Sequence, residues 1–389
     1  MRHTVKNSGN YSLDMKPFLH AAGSAWKFVK KNAVMFIALI AALVTSMIVP
    51  PDEKYLGYID FKTVACLFCT LGVICALRNI KFFTYTAQVI VEKTSGLKTA
   101  ILTLVGITYV GSMLIANDMA LITFLPLGYN VLKSTGREKY MAFTFIMQNI
   151  AANLGGMLTP FGNPQNLFLY SRFSIPTGEF MLIMLPPFIA AAVMIAVCCM
   201  FVKNEKIEIK TEKVSRPDTK RTVIFCLLFV FALLIVFRVV HYLIGLAVIT
   251  VALLIIDRKA LAKVDYGLLF TFVFFFIFAG NMARIDVVAD FLSDLVGKNT
   301  LLVSTLSCQA ISNVPTAVLL SGFTDNYREL LQGVNIGGVG TLIASLASLI
   351  TYREYVKDQP GKGAKYIGMF SVINFSFLAV LLIVCMVFR

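Results

Sequence analysis

Charge is what this chain of 389 residues has least of: Asp, Glu, Lys and Arg together make up 14%, against ~25% in an average soluble domain. Too little polar surface is available to keep so large a body in water. Histidine occurs three times, at His3, His20 and His241, positions too scattered to assemble a metal site. There is no H-E-x-x-H and no G-x-S-x-G, so the hydrolases that announce themselves by motif are excluded. No cleavable leader is evident either. Residues 1–32 are polar and basic, with no apolar run and small-residue cleavage site ahead of the first hydrophobic segment, so that segment is expected to be retained.

What is present is apolar. Hydrophobic residues reach 58% and mean hydropathy is +0.79, the signature of an integral membrane protein. A net charge of +14 would suit a nucleic-acid surface, but the Lys and Arg residues sit in loops between apolar segments, where membrane orientation accounts for them. The expected partner is therefore the bilayer and not nucleic acid. The eight cysteines (Cys66, Cys69, Cys75, Cys198, Cys199, Cys226, Cys308 and Cys385) all fall in apolar runs. There Cys behaves as a small hydrophobe, and the lone C-x-x-C at Cys66 and Cys69 has no second pair to complete a zinc set.

Along the chain, residues 16–31 form either a basic amphipathic helix lying on the membrane or a simple basic flank. Spans are predicted at 33–50, 59–77, 139–170, 180–202, 221–238, 241–257, 266–283, 332–356 and 365–388, with amphipathic stretches at 80–95 and 285–297. Two further segments, 98–132 and 299–331, are doubled apolar runs with a polar interruption in the middle, Ala116-Asn117-Asp118-Met119-Ala120 and Ser312-Asn313-Val314-Pro315-Thr316. At ~1.5 Å per helical residue, each arm of such a segment covers at most one passage of a ~30 Å core, which predicts helical hairpins that dip in and return. The segment 139–170 is too long for one span and contains Thr159-Pro160-Phe161-Gly162-Asn163-Pro164, which should break it.

Charge sets the orientation. With the N-terminus cytoplasmic, the basic runs Arg78/Lys81, Lys133/Arg137/Lys139, Lys203 to Arg221, Arg258/Lys259/Lys263 and Arg353/Lys357/Lys362/Lys365 all lie inside. The loops at Asp52/Glu53, Asp286/Asp290/Asp294 and Asp325/Glu329 lie outside, as does the C-terminus. The first interrupted segment then begins and ends in the cytoplasm and the second outside. The same result follows whether each is a re-entrant hairpin or two full crossings.

The halves repeat one another in opposite orientation. Asn153-Leu-Gly-Gly-Met-Leu-Thr159 aligns without a gap on Asn335-Ile-Gly-Gly-Val-Gly-Thr341, continuing to Leu167/Leu349 and Tyr170/Tyr352, and Ile59-Asp60-Phe61 matches Val264-Asp265-Tyr266. Inverted repeats with interrupted helices at corresponding places point to a secondary transporter with a midplane site.

The runs ANDMALITFLPL (116–127), TPFGNPQNLFLY (159–170), SNVPTAVLLSGF (312–323) and GGVGTLIASLAS (337–348) resemble the ion transporter superfamily. The likeness is strongest to its citrate, arsenite and sodium/proton exchanger branches, with the divalent anion/sodium symporters as more distant kin. It extends over roughly residues 33–388. It implies an all-α polytopic membrane protein with inverted-topology repeats, two opposed re-entrant hairpins and two broken transmembrane helices. In those terms residues 1–32 are a cytoplasmic segment and 33–202 a first repeat (scaffold 33–95, transport 98–202). Residues 203–220 form a cytoplasmic linker, and 221–388 an inverted second repeat (scaffold 221–297, transport 299–388). The likeness further implies a homodimeric scaffold and elevator-like movement of the transport part. The first tip departs from the symporters' Ser-Asn-Thr, having Ala116-Asn117-Asp118, and the second, Ser312-Asn313-Val314, keeps two of the three.

The chemistry of these residues can be read beside that likeness. Where a hairpin turns, the returning helix starts with unpaired N–H groups and a positive dipole end that attract an anion. Asn117 and Asn313 add side-chain amides; Pro315, with Thr316 beside it, and Pro164 suit first helical turns, and Asn163 suits an N-cap. Capping and solute binding are compatible readings for this group. Carbonyls freed at the breaks, with Thr159, Asn163, Asn166, Ser312, Thr341, Ser345 and Ser348, offer oxygen ligands for a hard coupling cation such as Na⁺, though Ser and Thr also serve helix packing. Asp118 is the acidic residue expected nearest the bilayer centre. It either carries a coupling proton, helps hold sodium or caps its helix. Asp60 and Asp265 are expected to be caps, and Arg284 and Lys298 interfacial anchors.

A channel would be built around a symmetric pore, whereas here the site lies between internal repeats. A membrane enzyme lacks its motifs. The expectation is an ion-coupled secondary transporter of a small anion such as a carboxylate in the cell membrane, using no cofactor beyond a coupling Na⁺ or H⁺. The alternative is a sodium/proton antiporter or an arsenite-like oxyanion efflux permease on the same scaffold.

Overall fold

A computed structural model describes residues 28–29, 32–209 and 214–388. The basic stretch at 16–31 falls almost wholly outside these residues, as does the centre of the 203–220 linker. Each apolar run becomes helical, since a helix satisfies its own backbone without water, and among the described residues the one β contact is an isolated bridge between Gly96 and Lys206. The helices are α1 (Ala33–Ile48), α2 (Tyr55–Tyr58), α3 (Phe61–Asn79), α4 (Phe82–Val91), α5 (Leu97–Ile115), α6 (Asn117–Ser134), α7 (Met141–Gly155), α8 (Pro164–Arg172) and α9 (Thr177–Met200). The chain continues with α10 (Thr219–Val236), α11 (Tyr242–Ile256), α12 (Arg258–Ala262), α13 (Tyr266–Met282), α14 (Asp286–Lys298), α15 (Thr300–Ile311), α16 (Asn313–Leu320), α17 (Tyr327–Ile336), α18 (Leu346–Asp358) and α19 (Gly363–Val387).

Among the described residues five helices, α3, α5, α9, α10 and α19, are long and apolar enough to cross a membrane, and the bent pair α13–α14 brings the number to six. The segments expected to span at 33–50 and 241–257 are shorter helices of 16 and 15 residues, about 24 Å and 22 Å at the helical rise. The amphipathic segment at 285–297 is α14, turned 100° from α13. Asp60 and Asp265 cap α3 and α13 as expected, each accepting at 3.0 Å from the amide three residues on. Arg284 is held in a two-pronged pair with Asp52 (2.8 and 3.0 Å) and also donates to Tyr58 Oη at 2.9 Å. That guanidinium ties the α1–α3 connection to the end of α13 and keeps the Asp52 carboxyl below the usual carboxylate range.

Both interrupted segments fold back on themselves. Thr108 and Phe124, eight residues either side of Ala116, are bonded by the same Gln148 amide of α7, at 3.1 Å and 3.2 Å, so α5 and α6 lie side by side. Thr300 and Thr324, twelve residues either side of Ser312, bring their hydroxyls within 3.4 Å. The second return arm is shorter than the 299–331 segment suggested. Helix α16 ends at Leu320, and α17 starts afresh at Tyr327 with an Asn326 cap. Both long segments are broken as expected: α7 passes through a short 3-10 turn at Gly156–Leu158 before α8, and α17 gives way at 337–345 before α18.

Helix α1 packs on α13 and α3 on α10 and α11; α5 and α6 pack on α7, α15 on α17, α9 on α19, and α18 on α6 and α7, while α13 with α16 and α3 with α8 join these sets. Glycines let these helices close. A Cβ on Gly155 would strike the Tyr109 carbonyl and Ser112 Oγ, and one on Gly337 would stand 2.9 Å from Cys308 Sγ, whereas nothing lies within 4 Å of one on Gly106. Overpacking a close contact typically costs about 1–3 kcal/mol. Gly155→Ala should therefore lower the thermal unfolding midpoint in detergent by several degrees while Gly106→Ala leaves it in place; equal midpoints would show that α5 and α7 do not meet at this glycine.

Candidate functional site

The two breaks share one backbone geometry. Ala116 sits at φ 60°, ψ 150° and Ser312 at φ 72°, ψ 160°, a region in which an L side chain costs about 1–3 kcal/mol. Neither position is glycine, so the strain is sustained by what surrounds it. In each case the following asparagine folds its side chain over the new helix: Asn117 Oδ1 accepts from Asp118 N and Asn313 Oδ1 from Val314 N, both at 2.9 Å. The side-chain carbonyls are thus spent on the backbone and the amide nitrogens face outward. Asn117 Nδ2 donates to Asn153 Oδ1 at 3.2 Å. A Cβ built on Gly338 would stand 3.2 Å from Asn313 Nδ2 and 3.7 Å from Asn153 Oδ1, which brings the second tip close to the asparagine that the first tip bonds.

The broken helices are clamped to the tips in matching ways. Thr159 Oγ1 donates to the Met113 carbonyl at 2.8 Å and Thr341 Oγ1 to the Gln309 carbonyl at 2.9 Å, each acceptor lying three residues before its break. The breaks also bond each other. Asn335 Nδ2 reaches Asn166 Oδ1 at 2.7 Å, Asn149 Nδ2 reaches Ser348 Oγ at 3.2 Å, and Asn163 Nδ2 lies 3.4 Å from Asn335 Oδ1. Asn166 Nδ2 gathers the loosened carbonyls of Gly156, Met157 and Thr159 at 3.1–3.3 Å. The result is a buried crossing lined by neutral amides and hydroxyls, with Asn149, Asn163, Asn166 and Asn335 all at 1% exposure or less.

The citrate transporter profile matches residues 22–326. The chain belongs to the citrate transporter family. An uncharacterized transporter of Methanocaldococcus jannaschii is 35% identical over 324 residues, covering 82% of this chain and 88% of that protein. The inner membrane protein YbiR of Escherichia coli is 30% identical over 62% of this chain and 66% of its own. A silicon efflux transporter of Oryza sativa subsp. japonica is 26% identical over 47% of this chain and 40% of its own. The chain is thus a multi-pass membrane transporter with a small-molecule solute.

In this transporter, five of the twelve residues singled out from the sequence meet at the crossing. Asn117, Asn163, Asn166, Asn313 and Ser348 are bonded within it or line it. Ser312 Oγ donates to the Ala344 carbonyl at 3.2 Å, and Pro315 is buried in the first turn of α16. The hydroxyls of Thr159 and Thr341 commit their protons to carbonyls, which leaves their lone pairs as acceptors. Thr316 donates back to Ser312 O at 2.7 Å within its own helix, and Ser345 accepts from Ala347 N at 3.2 Å as the cap of α18. Asn163 occupies the N-cap position of α8, yet its side chain makes no cap bond. It is drawn instead toward Asn153 O and Asn335. Asp118 lies in the first turn of α6, a helix that no side chain caps, and its buried Oδ1 has no partner.

Three residues that carry the crossing gave weaker sequence signals. Asn149, Asn153 and Asn335 are amides inside apolar runs, where an unpaired side chain would cost several kcal/mol. Asn153 and Asn335 open the two aligned repeats. Arg78, at the end of α3, places Nη1 3.1 Å from Met119 Sδ, the residue after Asp118. Removing the Asn335 amide leaves Asn166 Oδ1 buried and unanswered, a loss of about 2–3 kcal/mol. Asn335→Ala should lower the unfolding midpoint in detergent by several degrees, and an unshifted midpoint would mean that this bridge between the breaks is not formed.

Proposed function

We propose that this member of the citrate transporter family is an ion-coupled secondary transporter of a small anion, a carboxylate in the first instance. The reading rests on one observation: two strained breaks in different halves of the chain turn their asparagine amides onto a single buried crossing. Amide nitrogens and the starts of α6, α8, α16 and α18 offer donors and positive dipole ends to an anion. Hydroxyl lone pairs and loosened carbonyls offer oxygens to a cation. Anion and cation held together neutralise each other, which lowers the cost of carrying charge through a medium of low dielectric.

In this reading the two halves are inverted repeats and the hairpins are re-entrant, supported by the paired breaks, the paired threonine clamps and the ungapped Asn153/Asn335 alignment. The helices of 33–95 and 221–297 form a scaffold that dimerises. Those of 98–202 and 299–388 form a transport body that carries the crossing across the membrane as a unit, in the manner of an elevator. The N-terminus is cytoplasmic and the C-terminus outside, following the basic loops. Asp118, with a buried oxygen unanswered beside the first tip, carries the coupling proton or shares in holding Na⁺; the crossing residues Asn117, Thr159, Asn163, Asn166, Ser312, Asn313, Thr341, Ser345 and Ser348 supply the remaining ligands. Efflux of an oxyacid on the same scaffold is the second reading, favoured by the relative named for silicon efflux.

Uptake by purified protein in liposomes, against a panel of small acids with sodium and pH gradients imposed separately, tests the function. Asp118→Asn should retain solute binding and lose the dependence on one of the two gradients by tenfold or more. Coupling that survives the substitution undiminished would remove Asp118 from the mechanism.

A further inference from the structure

Far from the crossing, the approach to α10 closes a cleft whose charges do not balance. A cavity of about 540 Å³ lies between the α3–α4 turn, which supplies Asn79, Ile80 and Lys81, and the stretch leading into α10, which supplies Ser215, Arg216, Pro217, Asp218 and Arg221. Three cations thus line it against one carboxylate. Among the described residues Lys81, Arg216 and Arg221 form no ion pair and no side-chain hydrogen bond. Asp218 is engaged with the backbone, its Oδ1 accepting from Arg221 N at 2.8 Å as the cap of α10. Behind the cleft, Asn79 Nδ2 donates to Asp257 Oδ2 at 2.8 Å and Lys263 Nζ donates to Asn79 Oδ1 at 2.7 Å. Those two charges cancel each other, so the surplus in front of them stays positive.

A second cavity, of about 490 Å³, supplies the comparison. It is lined by Arg172 and Asp325 with Ser293, Ser321 and Thr324, one charge of each sign, and so has no surplus with which to hold an anion. The cleft at α10 differs in its neighbourhood as well. Helix α10 is the least enclosed of the five helices able to span a membrane. Directly beyond the cleft it exposes Val223, Leu227 and Val230, spaced so that they form one ridge along its length. Ile224, one turn on from Arg221, is exposed beside them. Unpaired guanidinium groups therefore stand at the head of an apolar track that faces lipid.

We propose that this cleft holds the headgroup of an anionic phospholipid, with its phosphate between Arg216 and Arg221 on one wall and Lys81 on the other, and an acyl chain laid along Val223, Leu227 and Val230. Guanidinium groups suit phosphate because their planar forks can donate two bonds to its oxygens, and clustered cations beside a span attract anionic lipid. A free phosphate would satisfy the cations and leave the ridge unused. A zwitterionic lipid brings a cation of its own into a cleft that already has too many. The bound lipid would join the α3–α4 turn of the first half to the first helix of the second, two elements that α3 and α10 already hold in contact. In the orientation proposed above it belongs to the cytoplasmic leaflet, although binding in detergent is independent of that orientation.

The test uses the full-length protein in a nonionic detergent, titrated with phosphatidylglycerol, phosphatidylcholine or inorganic phosphate and followed by its thermal unfolding midpoint. Phosphatidylglycerol should raise the midpoint by several degrees, and the other two should raise it far less. The double variant Arg216→Gln/Arg221→Gln should keep the lipid-free midpoint and weaken the apparent affinity for phosphatidylglycerol about tenfold or more. Arg353→Gln/Lys357→Gln, which removes two exposed cations from α18, should leave that affinity in place. Should the first double variant fold poorly, Lys81→Gln on the opposite wall is read instead, with a loss of about threefold or more. Native mass spectrometry should show one phosphatidylglycerol retained per wild-type chain and none on the Arg216/Arg221 variant. Equal losses in the two double variants overturn the inference, because a diffuse positive field would then attract the lipid. Phosphatidylcholine as effective as phosphatidylglycerol removes the selection by charge, and phosphate as effective as lipid removes the acyl chain; either overturns it, as does a midpoint that phosphatidylglycerol leaves unmoved.

Discussion

In an apolar interior every amide must be answered by protein, because no water will do so, and that demand organises this molecule. The breaks in α7–α8 and α17–α18 release carbonyls that a straight helix would have kept. Asn166 alone collects three of them, and Asn335 collects Asn166. Such a lattice of neutral amides tolerates burial far better than ion pairs would, since each bond exchanges dipoles and not charges. It also joins residues from the two halves into one body, so that a displacement of one break displaces the other.

The strained tips depend on the same lattice. Ala116 and Ser312 hold positive φ without being glycine, which persists only where neighbouring bonds outweigh the strain. At the second tip the holding bonds are explicit: Asn313 N and Ser312 Oγ both donate to the Ala344 carbonyl, at 3.0 and 3.2 Å. The threonine clamps, Thr159 on Met113 and Thr341 on Gln309, fasten each break to the arm that leads into its tip. The polar interruptions and the broken helices are therefore parts of a single construction.

Against that common frame the halves differ in chemistry. The first carries Asp118, Asn163 and Gln165 with buried polar atoms unanswered; at the corresponding tip and break positions the second has Val314, Ser345 and Ala347, the serine spent on its cap. A site meant to hold two unlike ligands, a solute and an ion, benefits from such asymmetry. At these three positions the first half keeps buried polar atoms unpaired and the second does not.

The breaks, the hairpin tips and the caps Asp60 and Asp265 were legible in the sequence because they are local: an Asn-Asp in an apolar run or a Pro-x-Gly-x-Pro speaks for itself through hydropathy and backbone restriction. Asn163 was legible as an N-cap by the same local logic, and there the tertiary structure prevailed, since the amide gains more from Asn153 and Asn335 than from its own helix. The length of the second return arm was not legible either, because 321–326 is as compatible with a continuing apolar run as with a turn. The sequence by itself determined how many apolar segments there are and where they are interrupted, since hydrophobic content and helix-breaking residues act over a few neighbours. Only the tertiary structure decided that Asn335 would meet Asn166 and Asn149 would meet Ser348, or that Gln165 would be left unanswered. A hydrogen-bond partner is chosen by position in space, and residues nearly 200 apart in the chain become neighbours only once the helices have packed.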